Sequence, residues 1–352
     1  MKLSEKKYKR IVVKIGSSLL AAGKDRLALE YLGGIAAKIA ALAREGKEII
    51  LVSSGAIACG MSILKLESRP KELAYLQAAA AVGQNLLMDT YNDAFIKRGL
   101  HAAQVLLTYE DFNDRRRYLN AKNTLLTLLK LGAIPVINEN DTVSTDEIKF
   151  GDNDRLSALV ASLVSADLLI ILSDVDGLLN QEKKVVKIVD KITPAIKALA
   201  CPTKGKTCVG GMITKIEAAG ISIDSGIACV IANGKDEDLL LKDSEIPGTL
   251  FIPKKGYLKA KERWIAFGTK PKGSIAVDSG AKNALMNKKS LLSVGIVALD
   301  GNFETGDVVS ITDKQGTEFA RGCVCISAKH LEKIKGSRFE KEIIHRDNLV
   351  IL

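Results

Sequence analysis

The sequence predicts an α/β protein: a three-layer sandwich around an open, mostly parallel sheet, followed by a small β-rich, barrel-like domain. Three observations predict this class. Apolar runs of strand length alternate with amphipathic helical segments through about residue 252. Beyond that point the pattern changes to short strands separated by Gly and Asp turns. Between the two parts lies a basic segment, Lys254–Lys272, with seven Lys or Arg against one acid.

The elements of the first part follow from hydrophobic periodicity and from the turn residues that bound them. The predicted strands are Arg10–Ile15, Glu48–Val52, His101–Leu107, Ala133–Ile137, Ala166–Leu172, Lys183–Ile188, Gly226–Ala232 and Gly248–Ile252. The predicted helices are Leu27–Arg44, Lys71–Arg98 (one helix or two), Arg115–Lys130, Leu156–Ser165 and one from Gly210 to Ala219 or beyond.

The second part reads as a small module of short strands with one helix. The strands are Ser274–Val277, Gly295–Leu299, Val308–Thr312 and Phe319–Val324, and the helix is Ala281–Met286. We therefore expect one domain over residues 1–258, a basic linker over 259–272 and a second domain over 273–352.

Charge and composition exclude several classes of protein. The net charge of +10 is carried by Met1–Arg10 and Lys254–Lys272, whereas Ile11–Pro253 nets −1, so the first domain does not resemble a basic nucleic-acid binder. No apolar run reaches 18 residues and no signal peptide opens the chain, which predicts a cytoplasmic protein without a membrane span. Six cysteines without a CxxC pair favour reduced core thiols over a metal or disulfide site.

One stretch, Ile137–Ala158, concentrates amides and carboxylates directly after a predicted strand. A core cannot absorb that many polar groups unpaired. The stretch is therefore either a solvated loop in which Asp154 or a neighbour caps the next helix, or a polar site at the carboxyl end of a strand, where ligands bind in open α/β sheets. The pattern alone leaves the two interpretations even.

Glycine and serine turns after strands point to anion binding. Gly16-Ser17-Ser18 follows a strand that contains Lys14, Ser53–Ala58 follows the next strand, and Gly210-Gly211 opens a helix. Backbone N–H groups at such turns and the helix dipole favour phosphate. Each turn alone could be an ordinary tight connection, and Lys14 could face water from an edge strand. No P-loop is present, because Gly205-Lys206-Thr207 has Ala200 where that motif requires glycine.

The positions of the histidines narrow the range of reactions that the acidic stretch could support. His101, His330 and His345 are the three in the chain, and none lies near the acidic stretch in sequence. A kinase that phosphorylates an alcohol usually needs a base, whereas a carboxylate acceptor is already ionised near neutral pH. Lysines, backbone N–H groups and Mg²⁺ then suffice to neutralise charge and align the reactants.

These motifs, in this order, resemble the glutamate 5-kinases of the amino-acid kinase superfamily. The motifs are Val13–Ser18, Ser53–Ala58, Asn138–Asp141, Gly151–Ala158, Ser173-Asp174 and Gly210–Lys215. The segment Ser274–Gly336 resembles the PUA domain that many of these kinases carry. The resemblance covers nearly the whole chain, and it is specific because six motifs occur in register.

The resemblance implies residue roles. ATP donates its γ-phosphoryl group to the side-chain carboxylate of L-glutamate. Catalysis falls to Lys14 and Lys215, which clamp the transferring group, and to Asp154, which holds the lysines in position. Glutamate is bound by Ser54, Asp141 and Asn153. Nucleotide is bound by Lys14, Ser173, Asp174, Val209, Gly210, Gly211, Met212, Ile213, Thr214 and Lys215, and Mg²⁺ enters with ATP rather than on protein ligands.

One departure from the family pattern is visible. Cys208-Val209 stands where the family usually has Gly-Thr, so a contact from Val209 to nucleotide comes only from its backbone. The resemblance further implies feedback inhibition by proline at or near the glutamate pocket, a homo-oligomer (dimer or tetramer) and a glutamyl-phosphate reductase as partner. The resemblance to PUA domains also suggests RNA as a partner, but Gly273–Leu352 has a net charge of only +1, which favours a role in assembly or regulation instead.

Two alternatives remain at this stage. A sister kinase could act on acetylglutamate, aspartate, carbamate or a nucleotide. Asp141 favours a substrate with a free α-amino group, because the positively charged ammonium group pairs with a carboxylate. Outside enzymes, the PUA-like segment suggests an RNA-binding or RNA-modification factor, against which the near-neutral first domain argues.

Overall fold

The computed structural model describes residues 2–3, 5, 7–20, 29–144, 153–200, 210–236, 239–240, 245–253 and 258–352. The chain forms two compact units. The first unit is Met1–Asp111 with Arg115–Tyr257, and the second is Phe112–Asp114 with Leu258–Leu352. Residues 259–272, which the sequence suggests as a linker, lie within the second unit, where Ala260–Arg263 and Trp264–Gly268 are helical.

The first unit is built on a mostly parallel sheet, as predicted. Its strands in the described residues are β1 (Arg10–Ile15), β2 (Glu48–Ser53), β3 (Ala102–Leu107), β4 (Ile134–Glu139), β5 (Leu168–Ser173), β6 (Ile188–Val189), β7 (Ala228–Asn233) and β8 (Thr249–Phe251). They are ordered β3-β4-β2-β1-β5-β7-β8-β6. All neighbouring pairs are parallel except β7 with β8.

The centre of this sheet is apolar on both faces. Strands β4 and β5 are buried at every position, and β1 and β2 are buried at all but their first residues. Strands covered by helices on both faces read as continuous apolar runs, which is why the sequence predicts them well. Because β1 lies between β2 and β5, the suggestion that Lys14 faces water from an edge strand is wrong; Lys14 is 4% exposed.

Helices cover the sheet in two groups. The helices of the first unit are α1 (Ser17–Leu20), α2 (Leu29–Arg44), α3 (Ala56–Ile63), α4 (Leu73–Ile96), α5 (Tyr109–Asn113, whose last residues belong to the second unit), α6 (Arg115–Lys130), α7 (Asp154–Val164), α8 (Pro194–Leu199) and α9 (Gly210–Asp224). Helix α4 contacts both α2 and α3, and α7 contacts both α6 and α9. The three-layer prediction is therefore confirmed.

Two glycines let α3 and α4 approach closely. A Cβ on Gly60 would lie 1.7 Å from the carbonyl oxygen of Ala79, and one on Gly83 would lie 1.9 Å from that of Ala56. Both distances are far below van der Waals contact, so no larger side chain fits without moving a helix. The first turn of α3 is thus held in place by the body of α4.

The second unit contains a mixed sheet with its own core. Its strands in the described residues are β9 (Gly273–Val277), β10 (Ile296–Gly301), β11 (Val308–Thr312), β12 (Glu318–Cys323) and β13 (Leu349–Ile351), in the order β10-β9-β11-β12-β13. Its helices are α10 (Ala260–Arg263), α11 (Ser279–Met286) and α12 (Ala328–Ile334). Phe303, Ile311 and Leu331 are among the buried apolar side chains at its centre.

The structure differs from the sequence prediction in a few elements. The strand predicted at Lys183–Ile188 is reduced to a bridge between Leu179 and Val185 and the two-residue β6. Strand β13 and the helices α1, α5, α8, α10 and α12 are not predicted from the sequence. Each is only three to seven residues long, which is too short to set a period. The predicted helix at Lys71–Arg98 is one helix, α4.

The cysteines and the membrane prediction can be checked only in part. Cys59, Cys229, Cys323 and Cys325 are free thiols, of which the first two are buried and Cys325 is exposed. Cys201 and Cys208 lie outside the described residues. None of the helices in the described part of the chain has both the length and the apolar character needed to cross a bilayer.

Candidate active site

Three charged side chains meet at the carboxyl ends of β1 and β5. Lys14 comes from β1, Asp154 opens α7 and Lys215 comes from the second turn of α9. The Lys14 Nζ lies 2.6 Å from Asp154 Oδ1, and the Lys215 Nζ lies 3.1 Å from Asp154 Oδ2. The three residues are 4%, 0% and 7% exposed. This lysine–aspartate cluster brings together the three residues that the sequence suggests as catalytic.

Local structure explains why a carboxylate is stable there. Asp154 is the first residue of α7, where the helix dipole favours negative charge. The Thr214 hydroxyl donates to Asp154 Oδ2 at 3.2 Å, and the Lys215 ammonium also donates to the Gly211 carbonyl at 2.8 Å. A buried charge requires such pairing, because an isolated one costs several kcal/mol in a protein interior. Both ammonium groups are therefore held at one carboxylate.

A cleft adjoins the carboxyl ends of β2 and β4. We name it the Ser54 cleft; its lining residues are Ser17, Ser54, Gly55, Ala56, Ile57, Ala58, Arg69, Asn138, Glu139, Asp141 and Asn153. Gly55 precedes α3 with a φ of +102°, a backbone conformation that glycine adopts without strain. The three residues suggested to bind glutamate, Ser54, Asp141 and Asn153, thus lie on one surface.

Asn153 connects the cleft to the cluster, because it directly precedes Asp154. Its Nδ2 donates to the Ser53 carbonyl at 2.5 Å and to Asn138 Oδ1 at 2.7 Å, and it lies 3.4 Å from Ser54 Oγ. Asn153 and Ser54 are buried, whereas Asp141 is half-buried. This side of the site therefore contains neutral hydrogen-bonding groups together with the side chains of Arg69, Glu139 and Asp141 that also line the cleft.

The residues suggested for nucleotide are described only in part. Ser173 ends β5 and its hydroxyl donates to Asp174 Oδ1 at 3.1 Å; Asp174 is exposed. Gly210 to Lys215 form the start of α9, which reaches the lysine–aspartate cluster through Thr214 and Lys215. Val209, and the acidic residues of 145–152, lie outside the described residues.

Several residues of the site were missed by sequence reasoning. Asn138 and Glu139 sit in a motif that stands out, but no role follows from the letters alone. Arg69 lies in a polar segment between α3 and α4 and carries no sequence signal at all. Gln84 on α4 accepts a hydrogen bond from Asn138 Nδ2 at 2.8 Å, a contact that only the tertiary structure creates.

Two neutral side chains, Cys229 and Tyr91, interact with residues of the site. Burial raises the pKa of the Cys229 thiol, and the negative charge of Asp154 raises it further, so Cys229 stays a neutral thiol. Burial also raises the pKa of Tyr91, whose hydroxyl lies 2.9 Å from Ser53 Oγ. Neither group offers a base, which suits an acceptor that is ionised without help.

Within the described residues, no group of three or more His, Cys, Asp or Glu side chains is placed to hold a metal ion. Both carboxylate oxygens of Asp154 contact lysines. In the described residues the carboxylate of Asp154 is thus engaged by lysines.

The comparisons with known proteins agree with this geometry. The model of the amino acid kinase family matches residues 9–233, and the model of the PUA domain matches residues 273–346. Enzymes of this family use ATP, generally with a divalent metal. The fold and the site thus define a kinase with a small acidic or amino-acid substrate.

Relatives that span the full chain narrow this class. Glutamate 5-kinase of Caldanaerobacter subterraneus subsp. tengcongensis is 47% identical, over 97% of this chain and 98% of its own length. Glutamate 5-kinase of Citrifermentans bemidjiense is 44% identical over 99% and 98%, and that of Methylococcus capsulatus is 46% identical over 97% of each. The chain belongs to the glutamate 5-kinase group of the amino acid kinase family.

Proposed function

We propose that the chain transfers the γ-phosphoryl group of ATP to the side-chain carboxylate of L-glutamate, giving L-glutamyl 5-phosphate and ADP. This is the first step of proline biosynthesis. The observation that supports it most directly is the buried Asp154 between Lys14 and Lys215, at 2.6 and 3.1 Å, next to the Ser54 cleft.

In this reaction a glutamate carboxylate oxygen forms a bond to the γ-phosphorus as the bond to the β–γ bridging oxygen breaks. The acceptor is already ionised, so no proton has to be removed. Lys14 and Lys215 neutralise the charge on the transferring group and hold it in line. Asp154 acts as a positioning residue, since it fixes both ammonium groups. Mg²⁺, bound with ATP, would supply further neutralisation of the phosphate charges.

The substrate amino acid fits the Ser54 cleft with its charged ends separated. Asp141 pairs with the α-ammonium group, while Ser54 and Asn153 supply neutral hydrogen-bonding groups. The side-chain carboxylate then points toward the lysine–aspartate cluster, because Asn153 and Asp154 are adjacent in the chain. The segment Val209–Lys215, with Ser173 and Asp174, holds the nucleotide.

The test is a trapping assay with Mg-ATP and hydroxylamine, which converts an acyl phosphate into a stable hydroxamate. We expect glutamyl hydroxamate from L-glutamate and little product from acetylglutamate or aspartate. Turnover of either of those without turnover of glutamate would assign the chain to a sister kinase. A matched reaction with MgCl₂ replaced by excess EDTA tests the metal and should abolish the product.

Further partners belong to the same proposal. The product is a labile acyl phosphate, which favours a glutamyl-phosphate reductase as a partner. Proline resembles the substrate in its α-carboxylate and amino group, so it is proposed as an inhibitor at or near the Ser54 cleft. The proposed oligomer is a homodimer or homotetramer, measurable by light scattering.

RNA is the partner class that the PUA domain suggests, and a salt titration of RNA binding tests it. The proposed domains are 1–258 and 273–352, and the proposed location is the cytoplasm.

A further inference from the structure

A chain of three side-chain amides runs from helix α4 into the Ser54 cleft. Asn153 Nδ2 donates to Asn138 Oδ1 at 2.7 Å, and Asn138 Nδ2 donates to Gln84 Oε1 at 2.8 Å. Asn138 is 2% exposed and Asn153 is 8% exposed. Asn138 and Asn153 line the cleft, whereas Gln84 stands behind them on α4.

Backbone groups fix the orientation of both asparagines. The Glu139 N–H can only donate, and it donates to Asn138 Oδ1 at 2.9 Å. The Ser53 carbonyl can only accept, and it accepts from Asn153 Nδ2 at 2.5 Å. The oxygen and nitrogen of each amide are therefore assigned by unambiguous partners. It follows that the group of Gln84 facing Asn138 must be an acceptor.

The orientation of the Asn153 amide determines which of its atoms can contact a ligand. Its two N–H groups are used by Ser53 and Asn138, which leaves Oδ1 as the polar atom of the side chain not spent on these contacts. An amide oxygen in the same cleft as the carboxylate of Asp141 suits a ligand that donates hydrogen bonds, such as an ammonium group. An N-acylated amino acid has lost that charge and most of its donors.

Among the described residues, Gln84 forms its side-chain hydrogen bond through its oxygen and not through its nitrogen. Its Nε2 is buried and finds no hydrogen-bond partner among the described residues. A buried donor left unpaired costs about 1–3 kcal/mol, so the contact through Oε1 must compensate for it. Gln84 also directly follows Gly83, whose close contact with the Ala56 carbonyl fixes α4 against α3.

We propose that Gln84 is a positioning residue for the substrate's α-ammonium group: by accepting from Asn138 it holds Asn153 with its amide oxygen toward the Ser54 cleft. Without an acceptor at position 84, the buried Nδ2 of Asn138 loses this partner, and the hold of Asn138 on Asn153 weakens. Asn153 then keeps its contacts with Ser53 and Ser54 but is oriented less tightly. The inference rests on the proposed function and deepens it, because it names a determinant of selectivity for a free amino group.

The experiment compares three variants of the full chain. Gln84→Met keeps the length of the side chain and removes the acceptor. Gln84→Glu keeps an acceptor oxygen. Tyr91→Phe is the matched control. It removes, from the same helix, a hydroxyl group that contacts Ser53 Oγ, and it leaves the hydrogen bonds among Gln84, Asn138 and Asn153 in place. For each, kcat and the KM values for glutamate and ATP are measured by hydroxamate formation, together with the melting temperature.

We expect Gln84→Met to raise the KM for glutamate about tenfold or more, because hydrogen bonds to charged groups are worth that much. The KM for ATP and kcat should change less than about twofold, and Gln84→Glu and Tyr91→Phe should keep a KM for glutamate near that of the unaltered chain. A role in folding alone would lower the melting temperature without separating the two KM values.

Three outcomes would overturn the inference: an unchanged KM for glutamate in Gln84→Met, an equal rise in both KM values, or a Gln84→Glu variant as impaired as Gln84→Met. If Gln84→Met does not fold, Gln84→Glu decides alone, since loss of glutamate binding there excludes an acceptor role. An unaltered chain that makes no glutamyl hydroxamate would instead overturn the proposed function, and the inference with it.

Discussion

The two halves of the site are built from different kinds of polar group. The lysine–aspartate cluster consists of two lysines salt-bridged to one carboxylate, all less than 10% exposed. The Ser54 cleft combines amides and a hydroxyl held by hydrogen bonds with the side chains of Arg69, Glu139 and Asp141. Fixed cations suit the transfer of negative charge, whereas a mixture of neutral and charged groups suits the recognition of a zwitterion.

The difference has an energetic consequence. A change within the buried cluster leaves a charge without its partner, and that penalty falls on folding as well as on turnover. A change in the cleft removes a contact to the substrate and leaves the fold intact. The predictions below test this contrast, beginning with the largest effect.

The largest effect is expected for Asp154→Asn. Two buried lysines would then share no carboxylate, and breaking a buried pair in this way costs about 3–5 kcal/mol of folding free energy. Urea denaturation measures the loss. Asp176→Asn, the same change at an exposed carboxylate, is the control and should cost little. An Asp154→Asn chain as stable as the control would mean that the lysines adapt without a counter-ion.

Next come Lys14→Ala and Lys215→Ala. Each removes a cation that acts mainly on the transferring group, so kcat should fall about 10²-fold or more while the KM for glutamate changes far less. Steady-state kinetics with Mg-ATP measures both constants. Lys97 is an exposed lysine that lies in none of the sequence motifs, so Lys97→Ala is the control and should behave like the unaltered chain. Near-normal turnover in a cluster variant would remove that lysine from the catalytic role.

A smaller effect, confined to substrate binding, is expected for Asp141→Asn. Loss of a charge-assisted contact to the α-ammonium group should weaken glutamate binding by about 1.5–3 kcal/mol and leave ATP binding nearly unchanged. The KM for glutamate should rise accordingly, with stability unaffected because Asp141 is half-buried. If the two KM values rise together, Asp141 serves the whole site rather than the amino-acid cleft.

The smallest effect is expected when the chain is ended after Tyr257. The residues of both halves of the site lie in the first unit, and the second unit has a separate core. The shortened chain should fold and make glutamyl hydroxamate with a kcat within about threefold of the full chain, as for a domain that folds on its own. A folded but inactive product would show that the second unit helps to form the site.

Sequence reasoning located much of this site for identifiable reasons. Lys14, Asp154 and Lys215 lie in motifs beside buried strands or at helix starts, and the carboxyl edge of a parallel sheet brings such positions together. Arg69 and Gln84 could not be found in this way. Arg69 lies in a segment without periodicity, and Gln84 is one polar residue on a long helix, where a solvated position is the ordinary expectation.

The sequence by itself determined the α/β class, the change to a β-rich module beyond the basic segment Lys254–Lys272, and the motifs whose order identifies the family. These features depend on local periodicity and on residue types at short spacing, both of which can be read along the chain. Only the tertiary structure decided that Lys14 is buried at the centre of the sheet and that Gln84 supports Asn138. It also decided that Asp154 pairs with two lysines, one 140 positions before it and one 61 positions after it in the chain. Each of these is a contact between segments far apart in sequence, and the side-chain pairs that form there are set by how the strands and helices pack.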